Sequence, residues 1–287
     1  MIIDVHAHTS DHSLWDLHTQ TATITDLENF AQKHQVKKII LLATYFPFKQ
    51  RGMTNLALLE RIKDNPLFAM FGSLDVMNNF LLGVRELASL ARKKKIIGIK
   101  LYPGYQVFDP SDSAYFDIYR LAQDFNLPVM FHTGELHHCC PTEQRQAGEF
   151  SCGDECMIDK YGYLAIPRAI LGATLQFPQV KFIFSHLGNP FFEQLREVMA
   201  ECSNVYTDIS GQFLSASEED TPEYRQELKE EMLKFLKLKN GIDRIMFGTD
   251  FPIQSYQDSI DLVKALDLSA EDEAKIFYQN AAKVLNL

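Results

Sequence analysis

Little in this chain of 287 residues supports a membrane span, a disulfide framework or a nucleic-acid partner. No stretch approaches the roughly 18 consecutive apolar residues of a membrane helix. No charged start precedes a cleavable apolar segment, so the expected location is cytoplasmic. The five cysteines are an odd number, and in a reducing compartment they read as thiols or metal ligands. With 28 Lys and Arg against 38 Asp and Glu, the formal net charge is −10, which speaks against a surface built to neutralise phosphates. The one basic run, Arg92 to Lys95, falls where a helix should end before an apolar strand. It reads as a solvated last turn facing the helix dipole. Also absent are the glycine-rich phosphate turns G-x-G-x-x-G and G-x-x-x-x-G-K-[ST], internal repeats, low-complexity tracts and Pro/Gly/Ser-rich linkers. Nothing marks a second domain.

What is present is ordinary globular material, 46% hydrophobic and 23% charged, enough for a sizeable core. Eight short β-rich runs recur along it: MIIDVHAH, KKIILLAT, LFAMFGSLD, IIGIKLYP, LPVMFHTGE, VKFIFSHLG, NVYTDIS and RIMFGTDFP. Between them lie stretches such as ITDLENFAQKHQ, NNFLLGVRELASLARKK, SAYFDIYRLAQDFN and PFFEQLREVMAECS, with apolar residues at three- and four-residue spacings. Strict alternation implies a parallel sheet, and eight units predict an α/β fold, a closed (β/α)8 TIM barrel, as one domain over residues 1–287. Two connections break the pattern. Residues 136–161 are too long and polar for core and are expected as an inserted loop or lid after strand five. SASEEDTPEYRQE, after strand seven, is expected as a second excursion. Both should emerge at the C-terminal mouth of the barrel.

Residues two apart on a strand point to the same side, their Cα atoms roughly 6.6 Å apart, so His6 and His8 can converge on one ion. His132 ends strand five, His186 strand six and Asp250 strand eight. In a parallel barrel all strands end at one face, so these five residues meet on one rim. Imidazoles with a carboxylate suit zinc, and also manganese, iron or cobalt. Such a site lowers the pKa of a water to about 7 and polarises a carbonyl. Each residue alone reads more often as a cap or a satisfied strand-end side chain than as a ligand, but burying all five without an ion would be costly.

Taken together, DVHAH, GIKLYP, FHTG, FSHLGNP, GTDFP and the closing NAAKVLNL resemble the amidohydrolase superfamily, in its amidohydrolase-related (family 2) branch of metal-dependent TIM-barrel enzymes. The resemblance implies that His6, His8, His132 and Asp250 are the metal ligands. It makes His186 the histidine that contacts the reacting group or a second metal. Asp250 becomes both ligand and general base. A strand-four lysine is carboxylated in some members. Lys100 is read here as unmodified, paired with a pocket carboxylate or placed for an anionic substrate, with a second metal as the alternative. Asp75 and Asp208 read first as loop or capping acceptors, and otherwise as groups that orient an imidazole.

In the insertion, His137, His138, Cys139, Cys140, Cys152 and Cys156 could hold a separate structural metal, although adjacent cysteines and a C-x3-C pair depart from the common C-x2-C geometry. Arg145 and Arg168 could clamp a substrate carboxylate, and Tyr102 could contact substrate. Trp15, Phe46 and Phe48 could wall an apolar pocket. The expected function is a metal-dependent hydrolase using a metal-bound hydroxide on the carbonyl carbon of a small amide, lactone or ester, with zinc as cofactor. The alternatives are a nonoxidative decarboxylase of an unsaturated or aromatic acid, and a barrel that binds metal or ligand without turnover. The expected partner is a small-molecule substrate, with no nucleic acid and no membrane. The resemblance is compatible with a homodimer.

Overall fold

The β/α alternation folds as one sheet of parallel strands in sequence order: β1 (Ile2–Ala7), β2 (Val36–Leu42), β3 (Phe68–Gly72), β4 (Gly98–Leu101), β5 (Val129–Phe131), β6 (Phe182–Phe184), β7 (Val205–Asp208) and β8 (Ile245–Met246). The computed structural model describes residues 1–14, 17–46, 52–138, 140, 142–150, 155–218 and 220–287. Trp15, Phe48, Cys139 and Cys152 lie outside them. Because β8 is short, the seam to β1 is made largely by the residues after it. Val5 N donates to Phe247 O (3.0 Å), Asp250 N to His6 O (2.7 Å) and His8 N to Phe251 O (2.8 Å). Asp4, buried on β1, reinforces the seam by accepting from Thr249 N (3.1 Å) and Thr249 Oγ1 (2.7 Å). The fold is a (β/α)8 barrel.

Helices cover the strands: α1 (Ile24–His34), α2 (Asn55–Ile62), α3 (Phe80–Arg92), α4 (Phe116–Asp124), α5 (Thr142–Gln146), α6 (Met157–Tyr161), α7 (Pro167–Gln176), α8 (Phe192–Glu201), α9 (Pro222–Leu236), α10 (Tyr256–Lys264), α11 (Ala270–Ala274) and α12 (Asn280–Leu285). Local chemistry sets several ends. Thr23 and Asp26 form a capping box at the start of α1. Helix α3 stops at Arg92 and the basic run beyond it is exposed, as a solvated last turn requires. Strand alternation sorts the layers. Ile99, Leu101, Val129, Phe131, Phe182 and Phe184 pack with the helices, whereas Lys100, Met130 and Ile183 take the opposite face. Phe131 and Phe184, whose rings lie 6.1 Å apart, anchor β5 and β6 just before His132 and His186.

Two loop expectations change. The stretch 215–227 is not loop throughout: Thr221 accepts from Tyr224 N as N-cap and Pro222 opens α9, so its second half is helix. Residues 136–161 contain the short helices α5 and α6, and the insertion is seated on the β4–α4 loop. Gly104 permits that close approach. Its φ is +82°, and a Cβ there would stand 2.5 Å from Leu136 Cδ1.

Candidate metal centre at the barrel rim

The rim brings together all five residues singled out at the strand ends. Asp250 Oδ1 lies 3.3 Å from His6 Nε2 and 3.1 Å from His8 Nε2. His186 Nε2 lies 3.3 Å from His132 Nδ1, and the ring of His186 is 4.8 Å from that of His6. The ligand atoms of His6, His186 and Asp250 all lie within 4.8 Å of one another. His186, expected as the outer partner, therefore stands among the inner atoms. The backbone turns sharply to put it there: His186, Leu187 and Gly188 have φ values of 62°, 54° and 68°. For the two non-glycine residues this left-handed run is strained, and His186 N donating to Asp208 Oδ1 (3.0 Å) helps to hold it.

Asp208 is the organiser that sequence reasoning undervalued. It is fully buried and accepts from His6 Nδ1 (3.2 Å), His186 N (3.0 Å), Ser210 N (3.1 Å) and the Ser210 hydroxyl. Orientation of an imidazole, the second reading of this residue, is what the geometry delivers. Asp75 keeps its capping part, accepting from Met77 N and Asn78 N (3.0 Å each).

Counting hydrogens shows what the rim lacks. His186 Nδ1 faces Ser210 O (3.0 Å), its Nε2 faces His132 Nδ1 (3.3 Å), and His132 Nε2 faces Glu135 O (3.0 Å). These three contacts need three hydrogens, but two neutral imidazoles carry two, and Asp208 takes the Ser210 hydroxyl proton. With each carbonyl accepting an N–H, two nitrogen lone pairs are left facing each other. Protonation is an expensive remedy: burial, with repulsion from His6, pushes His186 down to about 4, and burial with repulsion from His186 pushes His132 far below its usual range. His6 has the same shortage in another form, a carboxylate on each side of one ring. Burial opposes a charge there, yet Asp208 and Asp250 push its pKa up. Burial also opposes charge on Asp250, but attraction to His6 and hydrogen bonds from His6 and His8 hold its carboxyl well below the usual range. A cation between converging lone pairs resolves all of these contacts at once, so the donors present fit a divalent metal.

Lys100 is fully buried beside this cluster, its Nζ donating to Ser185 Oγ (2.8 Å) and standing 5.3 Å from the Tyr102 ring. The expected carboxylate pairing is thus replaced by a hydroxyl contact. Burial pulls its pKa down to about 7. Tyr102 spends its hydroxyl on Ala43 O (2.9 Å), so it forms wall with Phe46. Tyr105, not foreseen, comes nearer, its ring 5.0 Å from His132. The two arginines do not converge here. Arg168 sits on the outer surface of α7 in an exposed ion pair with Glu197, and Arg145 stays within the insertion near Thr142 Oγ1 (3.3 Å). Of the four insertion ligands among the described residues, His138 and Cys156 come together, and they do so with Asp159. Cys140 is buried, and His137 N donates to Tyr105 Oη (2.8 Å).

The family model described as amidohydrolase matches residues 3–287. No curated protein matches. Similar solved structures include an amidohydrolase from Burkholderia multivorans with bound zinc, 16% identical, TM-score 0.72, covering 100% of this chain and 99% of that one. A probable 2-pyrone-4,6-dicarboxylic acid hydrolase from Acinetobacter baumannii with citric acid bound is 17% identical, TM-score 0.69, covering 100% and 99%. A dihydroxybenzoic acid decarboxylase from Polaromonas sp. JS666, with manganese and 2-nitroresorcinol, is 18% identical, TM-score 0.67, covering 100% and 97%. At these identities the likeness shows the fold.

Proposed function

The chain belongs to the amidohydrolase family, and on that footing we propose that it is a metal-dependent hydrolase of a small amide, lactone or ester. The observation that carries this reading is the missing hydrogen along Ser210, His186, His132 and Glu135, beside a His6 flanked by two carboxylates. His6, His8, His132 and Asp250 are the residues that would hold the ion, with His186 Nε2 as a further donor on the same centre, and this donor set suits zinc. When bound, the ion supplies Lewis acidity toward a carbonyl oxygen and toward a water.

The chain's own groups do the rest. Asp250, whose Oδ1 faces the centre 3.3 Å from His6 Nε2 and 3.1 Å from His8 Nε2, takes the proton of the attacking water at its carboxylate. His186 presents a lone pair at Nε2 because its Nδ1 is committed to Ser210 O, so it belongs with the acceptors and has no hydrogen to give an oxyanion. Lys100 Nζ, which donates to Ser185 Oγ beside these groups, orients a substrate oxygen. The same lysine favours a second reading, a nonoxidative decarboxylase, because in its protonated form it also seats a carboxylate. Tyr105, against His132, excludes water from that side.

The test is metal content of protein purified without added metal or chelator, wild type against His8→Ala, followed by product analysis of the loaded enzyme on lactones, esters, amides and dihydroxybenzoates. The expected result is an ion lost in His8→Ala and acid released from a lactone, ester or amide with no carbon dioxide. Carbon dioxide from a dihydroxybenzoate would replace hydrolysis by decarboxylation. Equal metal content in the two proteins would remove the rim from the reading.

A further inference from the structure

We propose that the insertion carries a metal site of its own, built from His138, Cys156 and Asp159, which takes zinc or a similar borderline divalent cation and fastens the base of the insertion against Tyr102 and Tyr105. The ligand atoms of these three residues lie within 4.8 Å of one another. None belongs to the rim centre, so the site stands or falls independently of the catalytic reading.

The geometry comes from two segments. His138 lies in the extended stretch after β5, whereas Cys156 precedes α6 and Asp159 follows three residues later, so one turn of helix sets both side chains on the same side. Asp159 Oδ1 is 2.7 Å from His138 Nε2. The Cys156 sulfur lies within 4.8 Å of the ligand atoms of both residues. One carboxylate thus stands beside an imidazole N–H and a thiol. A divalent cation can take the place of both hydrogens. The thiol proton is released to solvent, the imidazole hydrogen moves to Nδ1, and thiolate plus carboxylate balance the two positive charges. Sulfur, nitrogen and oxygen donors suit zinc, with a fourth position for water. The side chains grade from a buried Cys156 to an Asp159 that is 60% exposed, which leaves an entry path.

The place of the cluster gives it a consequence. His137 N donates to Tyr105 Oη (2.8 Å), and Leu136, Cys156 and Ile158 pack with Tyr102 and Tyr105. Tyr105 in turn lies 5.0 Å from His132. Joining residue 138 to residues 156 and 159 closes the insertion into a loop whose base rests on the wall of the rim centre. Spacing alone did not reveal this set, because one donor is an aspartate and the familiar paired-cysteine pattern is absent.

Cobalt(II) distinguishes this site from the rim, where the grouped donors are nitrogen and oxygen only. Titrated into the metal-free full-length chain, it should produce a near-ultraviolet thiolate-to-cobalt absorption that saturates at about one thiolate-bound ion per chain. Cys156→Ser should abolish the band, His138→Gln should weaken cobalt binding by more than about tenfold, and His8→Ala should leave the band intact. Zinc should slow proteolysis within residues 142–150 in wild type and not in His138→Gln. Saturating cobalt without a thiolate band, or a band of unchanged strength in Cys156→Ser, would overturn the proposal. Should Cys156→Ser fail to fold, unchanged cobalt affinity in His138→Gln, at a part-exposed position, would do the same.

Discussion

The rim centre and the insertion cluster each pair an imidazole with a carboxylate, yet the two pairs are held by opposite means. At the rim, His6 Nδ1 meets Asp208, which is buried and bonded to three further donors from β6 and β7 and the turns after them. In the insertion, His138 meets an Asp159 that is mostly exposed and carried on a helix of five residues. The barrel therefore fixes its imidazoles before any ligand arrives. The insertion leaves much of that ordering to whatever binds. The same two residue types can build a preorganised site or a fastener, depending on what surrounds the carboxylate.

The sharpest way to break this contrast is to remove the buried acceptor. Asp208→Ala strips His6, the His186 backbone and both Ser210 donors of their partner at a position without solvent. The expected cost is about 3 kcal/mol or more in denaturant unfolding, with metal affinity at the rim falling by about 10- to 100-fold. Asp208→Asn, which keeps an oxygen acceptor, should lie between. An Asp208→Ala protein with wild-type midpoint and metal content would show that the rim does not depend on its buried carboxylate.

The legibility of the two regions divides along the same line. His6, His8, His132, His186 and Asp250 could be placed on one rim from sequence because a parallel barrel forces strand ends to a common face. Their holders could not. Asp208 bonds a histidine 202 positions away, and Ser210 reaches the same ring from 204 positions away, contacts that no local pattern encodes. Asp4 was within reach: it shares the alternation of DVHAH, and its buried carboxyl ties β1 to β8. The start of α9 was also written locally, in the Thr221 cap followed by Pro222. In the insertion the useful pattern, a cysteine and an aspartate three apart with a distant histidine, is too common to be read without coordinates.

A smaller effect, but a more selective one, comes from two glycines. Gly211 and Gly148 both have left-handed backbones, with φ of 56° and 76°. A Cβ at Gly211 would stand 2.8 Å from Asp250 Oδ2 and 2.9 Å from His186 Nδ1, whereas at Gly148 nothing lies within 4 Å. Gly148→Ala should cost only the backbone term, about 1 kcal/mol, and leave turnover untouched. Gly211→Ala should cost about 1–2 kcal/mol, lower turnover by about 10²-fold and weaken metal binding, because Asp250, which it displaces, is both base and ligand. Equal turnover losses in the two variants would mean that catalysis does not depend on how closely Gly211 packs against Asp250.

The smallest effect is expected where the contrast is most direct, at the carboxylate of the insertion. In the presence of chelator, Asp159→Ala removes the carboxylate that stands 2.7 Å from His138 Nε2 and is 60% exposed. Water can replace the lost partner of His138. The expected change in unfolding free energy is therefore about 1 kcal/mol or less. With zinc in place of chelator the same substitution should cost more, because a ligand and not merely a surface pair is then lost. A large loss in chelator would show that Asp159 is already a structural anchor without metal, and the insertion would then be preorganised in the same sense as the rim.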